Sequence, residues 1–320
     1  MLVNGQWQRH WDPVQKQDKD GRFIRQTSSF REHFTADEIQ AIGKGQRDLS
    51  LYVALICPWA TRALIARSLL GLQDYFDVKV VAPKMTDYGW AFDHFPGASD
   101  PDRVPFDFMH ELYTLSDPDF TGRATVPVLW DNQARRILNN ESADILQILN
   151  DEFRPLHQSD YQLRPQDQLD AIEQLNQRIY TQLNNGVYQA GFAQSQKAYE
   201  EAYQNVFTML DELEQRLNDR RYLFGDAIVE TDIRLFVTLT RFDVAYHGLF
   251  KTNKKRISDY PNLSRYLVDL LQIPAFAENT NVTHIKQGYY SIKALNPPQI
   301  VPKGPALDWL QYLPAQARGE

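Results

Sequence analysis

The chain has 320 residues, of which 43% are hydrophobic and 23% charged, and its formal net charge is -7 with a pI of about 5.6. This length predicts about two domains, and the composition is typical of a folded globular protein. The acidic balance disfavours nucleic acid and anionic membranes as partners. The uncharged run at residues 49–61 is too short to span a bilayer, so we expect no membrane partner.

The sequence contains a single cysteine, Cys57. One cysteine cannot form an intramolecular disulfide, which favours a reducing compartment. The first residues lack the apolar core of a signal peptide, and we therefore expect a cytoplasmic protein. The histidines are scattered without zinc-site spacing, so no metal site is predicted.

Secondary-structure signals along the first half of the chain alternate between strands and helices. Residues 1–48 predict an N-terminal extension, with a short helix over TADEIQAIGK that Thr35 could cap. LSLYVALI predicts a buried strand, PWATRALIARSLLGL a helix that stops at Gly71, and DYFDVKVVAP a second strand. After residues 89–116, whose fold stays open, TVPVLWD and RRILNN predict two more strands and ESADILQILNDEF a helix.

The second half of the chain shows helical spacing and no convincing strand from residue 165 onward. The order of elements therefore predicts an α/β domain over residues 49–155, followed by an all-helical domain over residues 165–291. Five prolines in residues 292–320 predict an extended C-terminal tail.

Cys57 lies where the first strand gives way to a helix, directly before Pro58. The first helical amides and the helix dipole favour a thiolate at such a position, and proline suits the first helical residue. Ala60 stands where a resolving cysteine would be. We therefore predict a nucleophilic or redox thiol of lowered pKa that needs an external thiol, with glutathione the abundant candidate. The alternative is a small core residue behind a buried strand.

Two further segments suit the same site. The Val126–Pro127 bond, predicted to be cis, would open a strand whose extended backbone could pair with a bound peptide, although an edge strand without a ligand fits as well. Glu141 and Ser142 begin a helix, where the serine and the first amides could bind a carboxylate and Glu141 an ammonium group. An ordinary helix cap is the alternative for this pair.

These residues and the segments around them resemble those of a known family. From about residue 20 to 305 the chain resembles the glutathionyl-hydroquinone reductases, the Xi class of the glutathione transferase superfamily. The matching segments, in the family's order, are CPWATR, MTDYGW, FPGA, TGRATVPVLWD, NNES, NNGVYQAGFA, RYLFG, DIRLFVTLTRFDVAYHG, FKTN, DYPNL and HIKQGYY. The resemblance implies a thioredoxin-like N-terminal domain, an all-helical glutathione-transferase C-terminal domain and a homodimer. It also implies glutathione as co-substrate, no permanently bound cofactor and an aromatic glutathionyl-hydroquinone as substrate.

The resemblance also implies roles for individual residues. Cys57 would be the nucleophile, Tyr188 the proton donor at the ring carbon, and Tyr246 and Tyr289 the tyrosines that lower the thiol pKa. Trp90 would pack on glutathione. The other glutathione contacts would be Arg123, Ala124, Thr125, Val126, Glu141 and Ser142.

The chain departs from the family pattern at three positions. Thr61 stands where the family has a histidine. Gly288 replaces the family's residue directly before the paired tyrosines. Val229 stands where a capping box with Asp232 would have Ser or Thr. Two alternatives to the reductase stay open. One is a glutathione transferase or thiol transferase acting on other small substrates, and the other is a non-catalytic glutathione-binding module.

Overall fold

The computed structural model describes residues 1–9 and 16–319, which fall into two compact units. The first unit contains residues 26–161 and the described residues at the start of the chain. The second contains residues 16–25 and those from 162 onward. The predicted N-terminal extension, residues 1–48, is therefore shared between the two units, and its residues 10–15 lie outside the described part.

The first unit begins with a two-stranded hairpin, β1 (Leu2–Val3) and β2 (Gln6–Trp7). Leu2 exchanges two backbone hydrogen bonds with Gly122, at 2.9 and 3.0 Å, and Gly5 N donates to Phe120 O at 3.0 Å. The start of the chain is thereby fixed to the segment that precedes Arg123. Residues 2–5 of the predicted N-terminal extension are therefore held by backbone hydrogen bonds to residues 120–122 of the same chain.

The main sheet of this unit has four strands, namely β3 (Leu49–Val53), β4 (Phe76–Val80), β5 (Val128–Asp131) and β6 (Arg136–Asn139). Their spatial order is β4-β3-β5-β6, with β3 parallel to β4 and β5 antiparallel to both β3 and β6. All five residues of β3 are buried, which confirms the predicted buried strand. All four predicted strands are confirmed.

The helices of the first unit are α1 (Ala36–Gly43), α2 (Pro58–Leu69), α3 (Met109–Ser116) and α4 (Ser142–Gln147). Thr35 caps α1 in a capping box with Glu38, which confirms the predicted cap. Gly71 follows α2 with a φ of +69°, a conformation that glycine adopts without strain. The open segment at residues 89–116 ends in α3, and α4 continues as a π-helical turn, Ile148–Glu152.

The second unit has only helices as regular structure among its described residues. These are α5 (Leu169–Ile179), α6 (Gly186–Gly191), α7 (Gln196–Arg216), α8 (Glu230–Arg241), α9 (His247–Leu249), α10 (Pro261–Leu271), α11 (Pro274–Ala277) and α12 (Val282–Tyr289). An α/β N-terminal half and an all-helical C-terminal half are therefore confirmed. No helix in the described part combines the length and the apolar character needed to cross a membrane.

Two details of this unit differ from the helical periodicity in the sequence. π-helical turns at Tyr180–Asn184 and Phe242–Tyr246 interrupt what the sequence presents as continuous helices. Each π turn inserts a residue and so redirects the side chains that follow it. At the start of α8, the Asp232 carboxylate accepts a hydrogen bond from Val229 N at 2.9 Å. This hydrogen bond of the capping box is therefore present although Val229 replaces Ser or Thr.

The C-terminal tail is not simply extended, and that prediction is wrong for its last residues. It forms two short 3₁₀ helices, Asp308–Tyr312 and Ala315–Ala317. Three small or apolar side chains at a spacing of four residues are buried there, those of Trp309, Leu313 and Ala317. Burial of this apolar surface folds the tail back onto the second unit.

Candidate functional site

Cys57 caps the N-terminus of α2, at the predicted junction. Its amide closes the preceding turn on Ala54 O at 2.9 Å, and its backbone is extended (φ -76°, ψ 117°) before Pro58 starts the helix. The side chain is partly exposed. Its thiol donates to the carbonyl oxygen of Val126, with 3.5 Å between Sγ and O. The alternative of a small buried core residue does not fit this placement.

Thr61 occupies the first turn of α2 and is fully buried. Its amide and its hydroxyl both donate to Cys57 O, at 3.1 and 3.0 Å. The threonine therefore holds the backbone that carries the thiol through two hydrogen bonds.

The segment Arg123 to Val126 runs into a cis Val126–Pro127 bond, as predicted, and then into β5. Arg123 N donates to the side chain of Gln26 at 2.9 Å, and Ala124 follows it. The Val126 carbonyl accepts from the thiol, while the Val126 amide has no hydrogen-bond partner among the described residues. An unpaired backbone amide beside a thiol is suited to pair with the main chain of a bound peptide.

Glu141 and Ser142 form the N-terminus of α4. The Glu141 carboxylate accepts from Ala143 N at 3.1 Å and from the Ser28 hydroxyl at 2.9 Å, so Glu141 caps the helix. Ser142 is buried, and neither its amide nor its hydroxyl has a hydrogen-bond partner within residues 1–9 and 16–319. These two donors at a helix N-terminus can receive an anionic group.

Tyr113, on α3, connects these two segments and was missed by sequence reasoning. Its buried hydroxyl lies 2.9 Å from Thr125 O, 3.1 Å from Thr125 N and 3.0 Å from Asn140 Nδ2. Asn140 is held in turn by Phe30, whose amide donates to its side chain at 3.1 Å. A single phenol therefore anchors both the residue before Val126 and the residue before Glu141.

Trp90 lies in the loop between β4 and α3, with its side chain partly exposed. Met109 N donates to Trp90 O at 3.0 Å, and Trp7 of the N-terminal hairpin donates through Nε1 to Asp87 O at 2.8 Å. No hydrogen bond or ring contact joins Trp90 to Cys57 in the part of the chain that the structure describes. Trp90 therefore makes no direct contact, among the described residues, with the other predicted glutathione segments.

The second unit brings the three predicted tyrosines together, and we call Tyr188, Tyr246 and Tyr289 the tyrosine cluster. The hydroxyl of Tyr289 lies 2.6 Å from that of Tyr188 and 2.8 Å from that of Tyr246, and the remaining oxygen–oxygen distance is 3.4 Å. The ring of Phe250 packs 5.1 to 5.6 Å from all three rings. Residues that are 43 to 101 positions apart in sequence thus meet through their polar ends.

Burial controls the protonation of this cluster. Tyr246 and Tyr289 are buried, whereas Tyr188 is partly exposed. Loss of hydration raises the pKa of Tyr246 and the pKa of Tyr289 well above the ordinary tyrosine value, and a nearby phenol raises both further. Both hydroxyls therefore stay protonated near neutral pH and can donate hydrogen bonds to Tyr188. No group of His, Cys, Asp and Glu able to hold a metal occurs among the described residues.

Comparisons with known proteins agree with this fold. Residues 56–152 match the model of the glutathione S-transferase N-terminal domain, and residues 196–268 match that of the C-terminal domain. The fold and the cysteine at its strand-to-helix turn thus define a two-domain glutathione S-transferase.

Full-length relatives narrow the class further. The chain is 43% identical to glutathionyl-hydroquinone reductase PcpF of Sphingobium chlorophenolicum, over 96% of each chain. It is 44% identical to glutathionyl-hydroquinone reductase YqjG of Escherichia coli, over 96% of this chain and 95% of the relative. The chain belongs to this family, the glutathionyl-hydroquinone reductases of the Xi class.

Solved structures of the family have the same architecture. The glutathione-bound structure of E. coli YqjG matches with a TM-score of 0.84 at 41% identity, over 97% of each chain. The Xi glutathione S-transferase of Phanerochaete chrysosporium matches with a TM-score of 0.84 at 43% identity, over 91% of this chain and 95% of the other. The predicted fold class and the thioredoxin-like N-terminal domain are confirmed.

Proposed function

We propose that this protein uses glutathione to reduce glutathionyl-hydroquinones to hydroquinones. The Cys57 thiolate attacks the sulfur of the substrate's thioether and forms a mixed disulfide with glutathione. The electron pair of the broken carbon–sulfur bond stays on the ring carbon, which takes a proton from Tyr188. A second glutathione thiolate then attacks the mixed disulfide, so that Cys57 is regenerated and glutathione disulfide leaves.

The observation that carries this proposal is the position of Cys57. A partly exposed thiol at a helix N-terminus, beside the Val126 carbonyl, is placed for nucleophilic attack. The chain has no second cysteine that could resolve a mixed disulfide. An external thiol must therefore resolve the mixed disulfide, and glutathione in this role is a co-substrate and not a permanently bound cofactor.

Unpaired donors support the assignment of the glutathione contacts. The amide of Val126 can pair with the peptide backbone of glutathione, and the amide and hydroxyl of Ser142 can bind one of its carboxylates. Glu141 can accept from an ammonium group while it caps α4. Trp90, Arg123, Ala124 and Thr125 would complete the site, as the family resemblance implies.

The tyrosine cluster supports Tyr188 as the proton donor. Its hydroxyl is the partly exposed member of the three, and the two buried members remain protonated. When Tyr188 gives up a proton, the hydroxyls of Tyr289 and Tyr246 can donate to the phenolate that forms. Stabilisation of Cys57 as a thiolate by Tyr246 and Tyr289 stays a proposal that rests on the resemblance.

The first test measures reduction of glutathionyl-menadiol with glutathione, following free menadiol by chromatography, for the wild type and Cys57→Ala. We expect turnover in the wild type and none in the variant. Wild-type protein that binds glutathione but releases no hydroquinone would refute the reductase proposal and leave a binding module or a transferase for another substrate.

A second measurement isolates the covalent step. Wild-type protein is mixed with glutathionyl-menadiol in the absence of free glutathione, and its intact mass is recorded. We expect a gain of one glutathione, reversed by added glutathione, and no gain in Cys57→Ala. Because Cys57 is the only cysteine, an adduct needs no further mapping. If the wild type gained no mass in this experiment but still reduced the substrate when glutathione was present, the mixed-disulfide step would be ruled out.

Assembly and location remain part of the proposal. The family resemblance implies a homodimer, which sedimentation equilibrium would test directly. The single cysteine favours a reducing compartment, so the cytoplasm remains the predicted location. The division into domains at residues 49–155 and 165–291 also remains a prediction, which limited proteolysis can examine.

A further inference from the structure

Arg25 lies against the ring of Tyr188. Its guanidinium carbon is 4.6 Å from the centroid of that ring. Its Nε donates to Asn185 Oδ1 at 2.8 Å, and Asn185 is buried three residues before Tyr188. The hydrogen bond to Asn185 and the contact with the Tyr188 ring, together with a contact to the Phe23 ring at 5.5 Å, hold the guanidinium relative to the phenol within the second unit.

The opposite end of the same phenol carries the hydroxyl of the tyrosine cluster. Tyr188 therefore has a cation over its face and two phenol hydroxyls within hydrogen-bond distance of its oxygen. A cation is attracted to the face of a neutral aromatic ring, and the attraction increases when the ring becomes an anion. This arrangement matters most at the moment when Tyr188 loses its proton.

We propose that Arg25 is a positioning residue for Tyr188: it holds the ring and stabilises the negative charge left when the hydroxyl gives its proton to the substrate carbon. This inference rests on the proposed function, in which Tyr188 is the proton donor. Arg25 itself need not touch the reacting atoms. A neutral side chain at this position would leave a weaker acid at the hydroxyl.

Two other arginines, Arg241 and Arg22, have surroundings that differ from those of Arg25. Tyr246 and Tyr289 are neutral, and the positive charge of Arg241 on α8 acts to lower the pKa of both. Arg22, in the same segment as Arg25, pairs with the carboxylates of Asp18, Asp20 and Glu201. Arg22 is therefore a matched control, since it is an arginine of the same segment whose charge is already neutralised by acids.

The test compares Arg25→Gln, Arg25→Lys and Arg22→Gln, each labelled with 3-fluorotyrosine. The fluorine resonance of Tyr188 is assigned by its loss in Tyr188→Phe and is then followed against pH. We expect Arg25→Gln to raise the titration midpoint of Tyr188 by roughly one pH unit, a tenfold loss of acidity. Arg25→Lys should restore part of the shift, and Arg22→Gln should leave the midpoint unchanged.

Turnover supplies the second readout. In Arg25→Gln we expect kcat for glutathionyl-menadiol at neutral pH to fall roughly 3- to 10-fold, with unchanged glutathione affinity. The alkaline limb of the kcat profile should also move to higher pH. An unmoved Tyr188 midpoint in a folded Arg25→Gln protein would overturn the inference. If the wild type produced no hydroquinone, the proposed function would fail, whereas the titration would still report whether Arg25 acts on Tyr188.

Discussion

Replacing Tyr113 with phenylalanine removes one oxygen atom and with it the link between the two segments proposed to bind glutathione. Burial raises the pKa of Tyr113, so the hydroxyl is protonated and donates to Thr125 O while it accepts from Thr125 N and Asn140 Nδ2. The variant leaves two donors without an acceptor, each at a cost of about 1–3 kcal/mol. Because Thr125 is only partly buried, water can replace the lost hydroxyl as its hydrogen-bond partner. We therefore expect the free energy of unfolding to fall by about 2–4 kcal/mol in total.

The effect on glutathione follows from the same contacts. Thr125 and Asn140 directly precede Val126 and Glu141, so both segments lose a fixed position when the phenol oxygen is absent. A loss of about 1.4 kcal/mol in binding free energy corresponds to a tenfold rise in Kd, and we expect at least that change. Urea unfolding gives the stability, and isothermal titration calorimetry gives the glutathione affinity.

Tyr260→Phe is the matched control. Tyr260 is also buried, but its hydroxyl donates to Asp211 within the helical unit. We expect that variant to lose about 1 kcal/mol of stability and to bind glutathione as the wild type does. If Tyr113→Phe unfolds at the wild-type urea concentration and retains wild-type affinity, the phenol is not the anchor that its contacts indicate.

Three further predictions concern the helical unit. Gly191→Ala places a Cβ 2.5 Å from Phe250. We therefore expect the free energy of unfolding, measured by thermal denaturation, to fall by about 1–3 kcal/mol, and kcat to fall as well. Tyr289→Phe removes both short hydroxyl contacts of the cluster, so kinetics should show a larger fall in kcat than for Tyr246→Phe; equal falls would contradict this geometry. Burial raises the pKa of Asp232 to about 6, so the folded state binds more protons than the unfolded state between about pH 4 and 6. The free energy of unfolding should fall by up to about 3 kcal/mol as pH rises through that window, and Asp232→Asn should flatten the slope.

The parts of the site that could be predicted from sequence are those with local signals. The strand, Cys57, Pro58 and the following helix form one continuous pattern, and the cis bond at Pro127 and the helix beginning at Ser142 are likewise local. The alternation of strands and helices before residue 155 and the helical spacing after it also sufficed for the fold class. In each case the evidence lies within a few residues of the feature.

The residues that were missed depend on contacts between distant parts of the chain. Tyr113 is one of sixteen tyrosines, and only the fold places it against Asn140, 27 positions away. Arg25 meets Asn185 across 160 positions, and the polar segment around it carries no periodicity that predicts the contact. The tyrosine cluster could be named only through the family resemblance, because nothing local distinguishes its members.

The route of the chain before residue 26 has a consequence for how the protein is made. Leu2 and Gly5 pair with residues 120–122, whereas Gly21 O accepts from Gln194 N and Arg22 binds Glu201. These two segments therefore have partners that are synthesised about 115 to 180 residues later. At roughly 5–20 residues per second, that delay is on the order of ten seconds or more. During that time the nascent chain keeps both segments unattached to these partners, and the segment at residues 21–22 waits longer than the segment at residues 2–5.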